Sequence, residues 1–189
     1  MTISDRAQAS ARELTDTFAT SPTFVTCRNS ADGVSIDLAV CNDQDGDGPA
    51  FAGTVTLADH DLGYHDIRLQ MVAVYPRMAK DFSRALGTCA LSTVERGWPL
   101  RWGAVHPDVL TIYHLSKTLP HLYFMPPFSW SSGPKPLTIG EHRIEWLQAI
   151  PISEAERAFA EAHGAQALEE KLVKANIDIT DLKRASAIK

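Results

Sequence analysis

VSIDLAVCNDQDGDGPAFAGTVTL, residues 34–57, decides between two kinds of fold. Asp43, Asp45 and Asp47 alternate ahead of Gly48, which is the first half of a calcium loop held between two helices. Such a loop needs oxygens at its first, third and fifth positions, glycine at the sixth and a bidentate glutamate at the twelfth. The twelfth position here is Thr54, and Pro49-Ala50-Phe51 interrupts the approach to it. The flanks point the other way. Val34, Ile36, Leu38 and Val40 alternate with Ser35, Asp37 and Ala39, the period of a half-buried strand. FAGTVTL reads as a second strand, so the stretch predicts an acidic turn between strands, with Asp and Gly serving the backbone. A calcium-dependent module using Asp43, Asp45 and Asp47 is the alternative reading.

Outward from this centre the strand periods continue. Upstream, TFVTC pairs with residues 34–40 across a turn at 29–33, which places Cys27 near Ser35. Residues 3–18 carry Ile3, Ala7, Ala11, Leu14 and Phe18 on one helical stripe. Downstream, IRLQMVAV is a strand stopped by Pro76, and residues 78–94 form a helix with Met78, Phe82, Leu86, Cys89 and Thr93 on its inner face. DVLTIYHL, HLYFM and HRIEWLQAI read as three more strands. Ser153 and Glu156 form a capping box opening a helix that ends at Gly164, and a second helix covers about residues 165–175. Strands and helices do not alternate strictly. The prediction is an α+β fold, a mixed and largely antiparallel sheet packed with helices, in one domain over residues 1–189.

Composition narrows the function. An apolar share of 44% with 22% charged residues is that of a globular chain, and the net charge of −5 argues against a nucleic-acid partner. No apolar run reaches membrane-span length, and the acidic start is unlike a signal peptide, so a cytoplasmic protein is expected. Cys27, Cys41 and Cys89 make no CxxC pair and read as reduced thiols. Asp59, His60, Asp61, His65 and Asp66 gather groups that suit a metal, but without HxH, HExxH or HxxxH spacing. A polar loop is the simpler reading, with a metal-dependent module on His60 and His65 as its rival. GxSxG, P-loop and GxGxxG motifs are missing, so the expectation is no enzyme and no cofactor. Aromatic density is the positive signal: PHLYFMPPFSWSSGPKP, residues 120–136, places Tyr123, Phe128 and Trp130 on proline-stiffened chain. These three are candidate contacts for a protein partner, with Asp43, Asp45 and Asp47 steering a basic one.

The order of these pieces resembles the suppressor-of-fused domain family, in its bacterial single-domain form. Thr54 to Leu57 and IRLQMVAV stand where that family has a short strand and loop ahead of an R-h-E-L strand, with Gln70 in place of the usual glutamate. PLRWGAVHP, LYFMPPFSW, HRIEWLQAIPI and SEAERAFAEAHGAQALEEKL follow in family order. The tail supplies Asp181, Arg184, Ser186 and Ile188 for a D-x-x-R-x-S-x-h ending. The resemblance implies a non-catalytic protein-binding domain. Animal relatives sequester a transcription factor by clamping an extended peptide as an added strand, and bacterial members are proposed as immunity proteins that neutralise a toxin by binding it.

Overall fold

A computed structural model of the chain describes residues 3–29, 33–41, 48–131 and 133–189. Its centre is an eight-stranded sheet: β1 (Thr23–Arg28), β2 (Ser35–Cys41), β3 (Ala50–Thr54), β4 (Ile67–Tyr75), β5 (Val105–His106), β6 (His121–Met125), β7 (Leu137–Ile139) and β8 (His142–Ile152). The strand order is β1-β2-β3-β4-β8-β6-β5, with β7 also paired to β8. Only the β4–β8 pair is parallel, so the sheet is mixed and mostly antiparallel, as the strand periods predict.

Side-chain alternation sorts the core into two faces. Ile36, Leu38, Met71, Ala73, Phe124 and Ala149 lie on the face covered by α2 (Phe82–Arg96), whose Phe82, Leu86 and Cys89 are buried there. The Phe82 ring stacks on Tyr75 at 4.8 Å between centroids. On the opposite face α1 (Asp5–Phe18) lays Ala7, Leu14 and Phe18 over Ala39, Cys41, Val72 and Trp146. Farther along that face Tyr123, Ile150 and Ile152 pack under α5 (Ala165–Lys174), which follows α4 (Glu154–His163). Gln70, where the family shows glutamate, is buried beneath α1. It accepts from the Thr54 hydroxyl at 2.5 Å and donates to Ser10 and to the Val55 carbonyl. An amide can do both, whereas an ionised carboxylate could only accept.

Several expectations need correction. DVLTIYHL is not a strand: α3 (Val109–Ile112) is a single helical turn, entered through Asp108 at φ 55. The Asp108 amide donates to His121 Nδ1 and the Leu110 amide to the Pro120 carbonyl, which commits the local backbone groups to a turn. Helix α2 starts at Phe82 and not at residue 78, because Pro76 to Asp81 form turns of their own. Met78 consequently lies outside the helix and is 86% exposed. FAGTVTL is strand only to Thr54, and Leu57–Asp59 is a 3-10 turn. Cys27 pairs with Ile36 and Arg28 with Ser35, one residue from the expected register. All three cysteines are free. The capping box at Ser153 and Glu156 and the helix stop at Gly164 are as expected.

Candidate functional site

Between Met125 and Leu137 the chain crosses the α1 face of the sheet, and two side chains of β8 fix its path. Gln148, fully buried, accepts from the backbone amides of Phe128 (3.0 Å) and Ser129 (3.3 Å) and donates to the Ser129 hydroxyl. Trp146 Nε1 donates to the Lys135 carbonyl at 2.9 Å. Pro126 and Pro127 stiffen the approach by fixing φ. The Phe128 backbone is thus anchored while its ring stands 53% exposed.

Phe128 forms one wall of a groove of about 360 Å³. Met125, Ile150 and Leu172 lie along it, and Val173 of α5 stands opposite, 78% exposed. Glu169 is its acidic group. One carboxylate oxygen accepts from Trp102 Nε1 at 2.5 Å and from the Tyr123 hydroxyl at 2.8 Å. Burial first, and then the Glu169 carboxylate, drive the Tyr123 phenol far above its ordinary range, so it keeps its proton and donates that hydrogen bond. Trp102 is 50% exposed. Phe128 and Val173 are therefore exposed apolar side chains lining a mostly apolar groove, and the half-exposed Trp102 joins it through Glu169.

The sequence candidates divide. Phe128 is at the groove. Tyr123 is fully buried beneath it and holds Glu169, so it supports the surface from below. Trp130 lies apart, half-buried against Phe18 and Phe51 with ring centroids 5.7 and 5.9 Å away, tying the 126–136 segment to α1 and β3. Asp43, Asp45 and Asp47 lie outside the described residues. A larger cleft of about 660 Å³ is lined by Gly48, Pro49, Pro76, Met78, Lys80 and Thr180 among others. The His60/His65 segment does not converge as ligands. Asp59 accepts from the Ser4 hydroxyl at 2.6 Å and from Arg6, and the exposed His65, among the described residues, pairs with its neighbour Asp66. Among the described residues no three of His, Cys, Asp and Glu come together as a metal site. The thiols are not activated, since burial pushes Cys41 up to about 11 and Cys89 higher still.

Gln148, Glu169 and Val173 were not legible as site residues. Each belongs to an element whose periodicity explains it without a site. Only the fold brings Gln148 under the proline loop and Glu169 beside Trp102.

A profile of the family described as suppressor of fused protein matches residues 33–185, beginning ahead of Thr54 where the resemblance in the motifs starts. The chain belongs to the suppressor-of-fused family. It is 31% identical over 158 residues to a Bacillus subtilis protein named immunity protein YqcF, covering 82% of each chain. A suppressor-of-fused homologue from Neisseria gonorrhoeae has the same fold, with a TM-score of 0.74 at 19% identity over 98% of both chains. Drosophila suppressor of fused superposes with a TM-score of 0.68 at 10% identity, and there the chain spans 51% of the solved molecule while 96% of it is matched. A chain from a Sufu–Fu complex matches to the same TM-score. Among the described residues no helix is long and apolar enough to cross a membrane.

Proposed function

We propose that the chain is a non-catalytic protein-binding domain acting as an immunity protein, which neutralises a toxin by direct binding through the groove between Phe128 and Val173. The observation that carries this reading is the pair of exposed Phe128 and Val173 lining an apolar groove, with Trp102 tied to its Glu169 and the Phe128 backbone anchored from below. Two further points support it: the similarity to an immunity protein, and a family whose solved members include a complex with a protein. Phe128 and Trp102 fill the role of anchors, because large rigid rings give contact area at small entropic cost. Glu169 supplies a fixed acceptor for a polar or basic partner group. The short strand β5 ends the sheet beside β6 on this side, so an extended partner segment can pair there while its side chains reach the groove. Asp43, Asp45 and Asp47 add negative charge that speeds encounter with a basic partner.

Calorimetric titration of the partner into Phe128→Ala and Val173→Ala proteins tests the reading. Each substitution should weaken binding by more than about 1 kcal/mol, with the thermal midpoint close to that of the unaltered protein. Unchanged affinity in both variants removes the groove from the interface.

A further inference from the structure

We infer that β1 is a self-pairing edge, through which two copies of this chain join their sheets about a two-fold axis at Thr26. β1 ends the sheet opposite the groove, and among the described residues nothing pairs with its outer side. Which of its backbone groups face outward follows from β2. The Asp37 carbonyl accepts from the Val55 amide and the Asp37 amide donates to Thr56 Oγ1, so both Asp37 groups point away from β1. Antiparallel strands alternate, so Ile36, Leu38 and Val40 bond β1 through their partners Cys27, Val25 and Thr23. Phe24, Thr26 and Arg28 are left with amide and carbonyl groups aimed at open solvent. β1 is exposed at every position except Cys27.

An edge of this kind must be covered, blunted or paired. Nothing blunts it centrally: the proline is at Pro22, just outside the strand. That proline also selects the register. With the axis at Thr26, Phe24 faces the other copy's Arg28 and Thr26 faces its counterpart, and all six outward amides and carbonyls of each strand are matched. With the axis moved to Val25, Arg28 would face Pro22, which has no N–H to give. The Thr26 register also matches side chains. Phe24, 57% exposed, receives the Arg28 guanidinium of the other copy on its ring, and Arg28 has no ion pair among the described residues. The contact is isologous and closes at two copies. It leaves both grooves free, because they lie at the far ends of the joined sheet.

Sedimentation equilibrium of the full chain, run up to about 1 mM protein, reads the association directly. The expected result is a reversible rise of the average mass from 20.7 kDa toward twice that value. Thr26→Pro removes an outward amide and the exposed Thr26 hydroxyl bond to Asp37 but no ladder bond, and should raise the dissociation constant about tenfold or more. Phe24→Arg sets like charges opposite each other and should weaken pairing, while the exchange Phe24→Arg with Arg28→Phe should restore it. A chain that stays monomeric throughout overturns the proposal. So does a dimer indifferent to Thr26→Pro and Phe24→Arg, or an exchange that pairs no better than Phe24→Arg alone.

Discussion

Glu156 is a carboxylate with no exposed surface, and four hydrogen bonds from three groups hold it there. Arg184 donates to both of its oxygens at 2.7 and 3.0 Å, the Ala187 amide to one and the Ser153 amide to the other. The half of this arrangement that is local in sequence, the capping box of Ser153 and Glu156, is legible as a motif. The half that involves Arg184, 28 residues away, is not, although Arg184 and Ser186 stand out in the tail pattern. Ser186 meets the Ser153 hydroxyl at 2.9 Å, so the family ending is a clasp that closes the C-terminal segment onto α4. Arg184→Ala should cost about 3–5 kcal/mol in urea unfolding, because the remaining carboxylate is buried and unpaired. Glu156→Gln combined with Arg184→Met should recover much of that loss. The pH dependence has a definite sign. Burial pushes the Glu156 carboxyl up, but the hydrogen bonds from Arg184, Ala187 and Ser153 outweigh it, and the net shift is below the ordinary 4.5. A depressed folded value stabilises fully above 4.5 and is lost as pH falls through it toward the folded value. Unfolding free energy followed from pH 7 downward should therefore hold its Glu156 share until about 4.5 and then fall, and Glu156→Gln should flatten that fall.

At the scale of elements, close approach governs the packing of α2 on the sheet. A Cβ at Gly87 would lie 2.4 Å from Cys27 Sγ, so the helix reaches β1 only because residue 87 has no side chain. Gly87→Ala should destabilise the fold by about 1–3 kcal/mol in denaturant titration, and Cys27→Ala in the same chain should relieve part of it. The helical period of α2 is legible between Phe82 and Thr93 and misleads at its start. The buried face repeats at helical spacing only where the helix lies on strands, whereas Met78 precedes it on a turn. DVLTIYHL misleads for a related reason. Its apolar residues suit a strand, yet Val109 and Leu110 are buried side by side in one helical turn, fixed by the His121 ring and the Pro120 carbonyl. Those partners come from the next segment, and periodicity contains no trace of them. Strands β5 and β7 are too short, at two and three residues, to show a period at all.

For the whole molecule, strand order is what turns scattered aromatic residues into a surface. β8 pairs in parallel with β4 and antiparallel with β6, which brings the proline loop after β6 and helix α5 to the same end of the sheet. Phe128 was legible as an exposed candidate because it stands in a proline-stiffened aromatic segment. Val173 and Glu169 were not, since their role depends on α5 returning to that end. The measurement that bears most directly on the central claim is quantitative affinity capture from the native host, using the tagged full chain beside a Phe128→Asp, Val173→Asp variant of matched thermal midpoint. The account predicts one protein held at one-to-one stoichiometry by the unaltered chain and released by the variant, with toxic activity of that protein suppressed in the complex. Retention of the same protein by both chains, or a stoichiometric partner whose activity is untouched by binding, would contradict it.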